Sequence, residues 1–228
     1  MTNIDEYRNK IICGDCLEIL PQLPEGSIDL IIFDPPYSRF SASDGLRTNL
    51  GDYKILEIFF KQLSFQLKRV IKRTGATFGF CDFRTYPSLF YGMYYNFCPT
   101  NLIVWKKNFP GPGVRFRPIH ELIVYWKEDR AQPPKDRQIT DIWEAPRVKN
   151  VDKLHPYMKP IELVEIMIHN CSGEGDTILD PFVGSGTTCL VAKMLGRNYI
   201  GIEINPEYCA VAEKRLAALP NMKLEAFT

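Results

Sequence analysis

The sequence predicts an α/β protein, a doubly wound, mostly parallel sheet of seven strands with helices on both faces. Three observations carry this expectation. Short runs rich in β-branched and aromatic residues alternate with longer amphipathic segments, the pattern of strands joined by crossover helices. Two of those runs, IDLIIF (28–33) and TILD (177–180), lead into Asp-Pro turns at Asp34-Pro35 and Asp180-Pro181. A third, NYIGIE (198–203), ends on Glu203, and an acid closing an apolar buried strand is costly without a partner.

In chain order, strands are expected at KIIC (10–13), IDLIIF (28–33), ATFGF (76–80), NLIVWK (101–106), ELIVYW (121–126), TILD (177–180) and NYIGIE (198–203). Helices are expected over about 15–22, 53–73, 84–95, 160–171, 187–196 and 205–218. The last begins well, with Asn205 as N-cap, Pro206 at the first position and Glu207 in the first turn. Two stretches read as loops: SRFSASDGLRTNLG (38–51), and the region from about 107 to 155 outside its 121–126 strand. Loops of that length in a compact domain are usually functional.

The chain has 228 residues, 45% of them hydrophobic, which suits one α/β domain over 1–228 with an inserted region at approximately 107–153. No stretch approaches a membrane span, and MTNIDEYRNK has neither the basic nor the apolar region of a signal peptide. Seven scattered cysteines point to a reducing, cytoplasmic setting rather than a disulfide framework. Cys13 and Cys16 form a C-x-x-C without a second pair, and His120, His155 and His169 form no H-E-x-x-H, so no metal is expected. The net charge of +1 conceals an asymmetry: residues 101–160 carry 12 basic and 7 acidic side chains. A local positive face is what a polyanion needs, although a solvated surface reads the same way.

In FDPPY (33–37) the two prolines bar a continuing strand or helix, so Asp34 and Tyr37 sit on a stiff turn at a strand exit. Ligands of open α/β sheets bind at that edge. In TILDPFVGSGTT (177–188), Gly184 and Gly186 precede a helix whose first N–H groups are free for an anion. A phosphate loop would need lysine where Thr187 stands, and a dinucleotide fingerprint would need glycine where Cys189 stands. Glu203, 23 residues beyond Asp180, is placed to take both hydroxyls of a ribose. Together these features indicate a nucleoside-containing cofactor.

FDPPY and DPFVGSGTT on one sheet resemble the S-adenosylmethionine-dependent amino-methyltransferases. The turn precedes the glycine loop here, the circularly permuted order of the β group of DNA amino-methyltransferases. CGDCLEIL (13–20), LIVWKK and HELIVYWK (102–127), and LHPYMKP (154–160) extend the resemblance over nearly the whole chain. One departure is Tyr157-Met158, where the family usually has small or Gln residues.

The resemblance implies a Rossmann-like methyltransferase fold in which residues near 107–153 recognise the target. It implies S-adenosyl-L-methionine as cofactor and transfer to the N6 amino group of a flipped adenine. It also implies a site of Asp34, Pro35, Pro36 and Tyr37. An exocyclic amine is a poor nucleophile, and acceptors on its hydrogens, from the Asp34 carboxylate and the Pro35 carbonyl, favour an exposed lone pair. Tyr37 would stack on the base. Cofactor contacts are implied for Asp15, Cys16, His155, Lys159, Asp180, Phe182, Gly184, Ser185, Gly186, Thr187, Thr188 and Glu203. Asp15 also reads as a helix cap, and Phe182 as core.

KKNFPGPGVRFRP (106–118) mixes four basic residues with two phenylalanines and no acid, which suits DNA contact. Contacts are expected from Lys106, Lys107, Arg115, Arg117, Arg130 and Arg147, and from Arg39 and Arg47 in the 38–51 loop. Double-stranded DNA is thus the expected partner, and the resemblance further suggests a homodimer and leaves room for a restriction endonuclease partner. Cytosine-N4 enzymes differ by one cradle residue type, commonly a leading serine. RNA and protein-glutamine methyltransferases usually keep the unpermuted order. A silent nucleic-acid-binding subunit would not need both the turn and the glycine loop.

Overall fold

The computed structural model describes residues 3–37, 53–111, 116–148 and 158–219. Strand β1 (Lys10–Cys13) and the short helix α1 (Cys16–Ile19) lead to β2 (Ile28–Phe33). Next come α2 (Tyr53–Val70), β3 (Ile71–Cys81), α3 (Tyr86–Tyr94), β4 (Pro99–Lys106), β5 (His120–Lys127) and β6 (Ile142–Glu144). The chain ends with α4 (Ile161–Cys171), β7 (Thr177–Asp180), α5 (Thr187–Met194), β8 (Asn198–Glu203) and α6 (Pro206–Ala217). Among the described residues, no helix is long and apolar enough to cross a membrane.

One sheet runs in the order β1-β8-β7-β2-β3-β5-β4-β6. Its first five strands are mutually parallel, β5 is antiparallel to both neighbours, and β6 joins β4 in parallel. Strand β2 is buried on both sides, as a central parallel strand must be. Leu30 and Ile32 pack with Leu163, Met167 and Leu190 of α4 and α5, while Ile31 and Phe33 pack with Leu56, Phe60 and Leu89 of α2 and α3.

The chain winds outward in opposite directions from the adjacent pair β7 and β2. From β7 it passes through α5 to β8, and from β2 through α2 to β3 on the other side. The crevice at such a reversal is where α/β sheets bind ligands. Leu30 pairs with Ile178 and Ile31 with Leu179, so Asp34 and Asp180 both emerge at its rim, Asp34 two residues beyond the position that faces Asp180.

Two expectations are corrected. The sheet has eight strands, not seven, because Ile142–Glu144 pairs with Val104–Lys106 inside a stretch expected to be loop. Three residues with polar neighbours carry no readable alternation. Trp143 is buried beneath the sheet, and the Trp105 indole donates to the Ala145 carbonyl at 2.9 Å, which fixes the strand in place. The helix expected over 53–73 ends at Val70, and Ile71–Arg73 open β3 instead. Ile71 pairs with Ile28, and Lys72 Nζ meets Asp29 Oδ1 at 2.7 Å, so pairing overrides helical periodicity. The 38–51 loop lies outside the described residues.

Candidate active site

The turn after β2 carries a compact charged cluster. Lys159 Nζ lies 2.5 Å from Asp34 Oδ2 and 3.4 Å from Glu121 Oε2. The Tyr37 hydroxyl is 2.8 Å from Asp34 Oδ1 and, again, 3.4 Å from Glu121 Oε2. Lys107 pairs with the other Glu121 oxygen. Four segments converge to build the cluster: the β2 exit, the start of β5, the residue after β4, and the segment before α4. Pro35 is buried and Pro36 half-buried, which anchors the turn from below.

Burial sets the electrostatics. It raises the Asp34 carboxyl above its usual range despite the Lys159 ammonium beside it. It would also raise Glu121, but Lys159 and Lys107 together outweigh it and hold that carboxyl below the usual range. Burial works against the Lys159 ammonium, yet Asp34 and Glu121 more than offset it and the net shift is upward. Burial lowers Lys107 against the pull of Glu121, and it raises the Tyr37 phenol, leaving a neutral O–H donor. Asp34 is therefore the carboxylate of the pair that most readily takes up a proton.

Across the crevice, β7 ends at buried Asp180, whose Oδ1 accepts the Phe182 N–H at 3.0 Å. Burial, opposed by the Thr188 hydroxyl and the Phe182 amide, pushes its carboxyl up to about 7. Gly184 and Gly186 take left-handed conformations with φ of 50° and 85°. At Gly186 a Cβ would also sit 2.8 Å from the Ala212 Cβ, so α6 packs directly on the loop. Arg215 of α6 donates to the Ser185 carbonyl at 2.6 Å and reaches Thr187 Oγ1 at 3.2 Å. Thr187 and Thr188 open α5 and are buried.

Glu203 straps this loop to the end of β8. Its Oε2 accepts the Gly184 N–H and its Oε1 the Asn205 N–H, both at 2.9 Å. Each oxygen keeps a second lone-pair site, so two adjacent acceptors remain for a vicinal diol. Phe182 is half-buried between Phe33 and Phe59. Asp15 caps α1 by accepting the Leu17 N–H at 2.8 Å, and it stands two residues past Cys13, the β1 residue paired with Glu203. Buried Cys16 has its thiol pushed up to about 12 by burial, and so is a packing group rather than a nucleophile.

The remaining expected residues scatter. Lys159 stands on Asp34 rather than at the glycine loop. Lys107, with its side chain only 12% exposed, is committed to Glu121 rather than directed to solvent. Lys106 is exposed beside Glu144 at 2.8 Å. Arg117 donates to the Gly111 carbonyl at 3.0 Å, and Arg147 is half-buried near Lys107. Arg130 lies at the opposite edge of the sheet: β5 runs from Leu122 beside Cys81 to Lys127 beside Ala76, which carries Arg130 away from Asp34. His155, Arg39, Arg47 and Arg115 fall outside the described residues.

Two residues of the site were not anticipated. Glu121 opens the apolar run ELIVYW, and the reasoning applied to Glu203, an acid at the end of a buried strand, would have found it. Arg215 looks like any solvated arginine near a helix end and left no signal.

A glycine loop and an Asp-Pro-Pro-Tyr turn facing each other across the switch point of an open sheet define the layout of a nucleoside-cofactor transferase. A DNA methylase family model matches residues 28–214, and the chain belongs to this family, the N6/N4 amino-methyltransferases of DNA. It is 33% identical to the type II methyltransferase M.HinfI of Haemophilus influenzae, over 96% of this chain and 71% of that protein. It is 35% identical to M.HpaI of Haemophilus parainfluenzae, over 91% and 74%. The M1.HpyAVI–SAM complex superposes with a TM-score of 0.70 at 27% identity, covering 91% of this chain and 99% of that one.

Proposed function

We propose that this chain transfers a methyl group from S-adenosylmethionine to the N6 amino group of adenine in DNA, after flipping the base. The observation that carries the reading is the emergence of Asp34 and Asp180 on neighbouring strands. This sets the Asp-Pro-Pro-Tyr turn against the glycine loop across one crevice. The similarity to M.HinfI and M.HpaI and the fold shared with the M1.HpyAVI–SAM complex support it. Asp as the first residue of the turn favours adenine over cytosine.

The loop residues fit the cofactor. Gly184, Ser185 and Gly186 with Thr187 and Thr188 would hold its methionine part at the α5 N-terminus, where free N–H groups suit a carboxylate. Glu203 would take the ribose hydroxyls, Phe182 would face the nucleoside, and Asp15 would reach the adenine amino group. When bound, S-adenosylmethionine supplies a sulfonium-activated methyl group.

At the other side, Asp34 and the Pro35 carbonyl accept the two hydrogens of the target amine, exposing its lone pair, and Tyr37 stacks on the base. Positioning and electrostatics then supply most of the rate. Asp34, raised by burial, is suited to hold the proton that the methylated nitrogen gives up. Lys106, Arg117 and Arg147, at the edge of the sheet that carries the turn, would meet DNA phosphates, with residues near 107–153 of the single domain reading the target.

The test is incubation with methyl-labelled S-adenosylmethionine and unmethylated genomic DNA, beside Asp34→Ala, with mass identification of the nucleosides. N6-methyladenine absent from the Asp34→Ala sample is expected. N4-methylcytosine would move the reading to the other amine, and unlabelled DNA would overturn it.

A further inference from the structure

The Asp34 carboxylate starts out occupied on both sides. Lys159 holds Oδ2 and the Tyr37 hydroxyl holds Oδ1, at 2.5 and 2.8 Å. Each oxygen keeps a second lone-pair site, so a target amine that joins Asp34 shares these acceptors and weakens both bonds. A hydroxyl has one hydrogen, so Tyr37 serves only one acceptor at a time. Both groups have the same second acceptor at the same distance: Glu121 Oε2, 3.4 Å from Lys159 Nζ and 3.4 Å from the Tyr37 hydroxyl. Lys107 neutralises the other Glu121 oxygen and fixes the carboxylate in place.

We propose that Glu121 is a positioning residue for the transfer: it receives Lys159 and the Tyr37 hydroxyl hydrogen when the target amine takes Asp34. No proton moves in this exchange; two hydrogen bonds shift from one carboxylate to the other, and the net charge of the cluster is unchanged. Without Glu121, Lys159 and Tyr37 would loosen from Asp34 with no second acceptor, leaving a buried ammonium poorly paired. The arrangement thus lets Asp34 rest in an ion pair and still become available to substrate. The inference rests on the proposed role of Asp34.

Other titratable groups face the cluster. Cys81 ends β3 and Asp82 follows it, Asp180 and Glu203 lie across the crevice, and Arg147 acts on Lys107. All remain in the variants described next, so changes between variants report the cluster itself.

The experiment combines carboxyl-carbon NMR titration of the cofactor-free protein with single-turnover methylation at saturating DNA and cofactor. In Glu121→Gln, Lys159 belongs to Asp34 alone, so the Asp34 pKa falls and the carboxylate is more fully ionised. The exchange nonetheless predicts a transfer rate lower by about 10-fold or more, with S-adenosylmethionine affinity near that of wild type. Glu121→Asp recovers part of the rate. A rate within about twofold of wild type, or an Asp34 pKa that stays or rises, overturns the proposal.

Should Glu121→Gln not fold, Lys107→Gln carries the test. Freed from Lys107, Glu121 draws Lys159 and Tyr37 over, and the Asp34 pKa rises. An Asp34 pKa that stays or falls in this variant overturns it. If wild-type protein methylates no DNA, the proposed function falls, and the titrations decide the exchange alone.

Discussion

The Gly184 amide donates to Glu203 Oε2 at 2.9 Å, so the acid that ends β8 holds the glycine loop in place before any ligand arrives. Each oxygen of that carboxylate has one backbone donor and one unused lone-pair site. Glu203→Ala therefore removes both the loop strap and the diol acceptor. Hydrogen bonds to charged groups are worth about 1.5–3 kcal/mol, so S-adenosylmethionine affinity should fall by about 10- to 100-fold. Calorimetric titration measures it, and an unchanged affinity would remove Glu203 from the cofactor site.

Gly186 combines φ of 85° with a close approach to α6. Alanine there meets both the left-handed penalty and the Ala212 methyl. Gly186→Ala should destabilise by about 1–3 kcal/mol, and each kcal/mol lowers the melting temperature of a chain this size by about 2–4 °C. Cofactor affinity should fall with it, because the same loop is displaced. A melting curve that superposes on wild type would mean that α6 yields easily.

Asp180 gives the fold a pH dependence of unusual sign. Its native carboxyl titrates at about 7, well above an unfolded aspartate at about 3.9. Between those values the native state holds a proton that the unfolded chain lacks, so this group's contribution to stability declines as pH rises through that window. Asp180→Asn keeps an acceptor for the Phe182 N–H and has no proton to lose. Its stability relative to wild type should rise from pH 4 to pH 7 and level off above. Denaturant unfolding at pH 5 and pH 8 reads the difference, and a gap independent of pH would contradict the raised carboxyl.

DNA affinity should separate the arginines by sheet edge. Arg117→Ala and Arg147→Ala, on the edge that carries Asp34, should each weaken binding and reduce the slope of log affinity against log salt by roughly 0.9. Arg130→Ala, at the far edge beside Arg73, should leave affinity and slope within error. Fluorescence anisotropy over a salt series tests all three, and a loss at Arg130 equal to that at Arg147 would place the DNA elsewhere.

Much of the fold is legible because its strands are buried on both faces. IDLIIF, TILD and NYIGIE match β2, β7 and β8 residue for residue, since a central parallel strand is apolar over most of its length. Strand β6 escaped because three residues at an edge need only one buried tryptophan. The start of β3 escaped because Ile71 continues the helical period of α2 and becomes a strand only through its partner Ile28.

The sequence by itself determined the sheet, the two aspartate turns and the glycine loop, because proline, glycine and apolar runs act on their own stretch of backbone. Only the tertiary structure decided which charges meet. Lys107 reads alone as a DNA contact and Lys159 as a cofactor contact, and Glu121 draws no reading. They become one ladder with Asp34 because β5 runs antiparallel beside β3 and delivers Glu121 to the rim where β2 ends. Ion pairing across 125 residues of chain depends on strand order and direction, which no local pattern encodes.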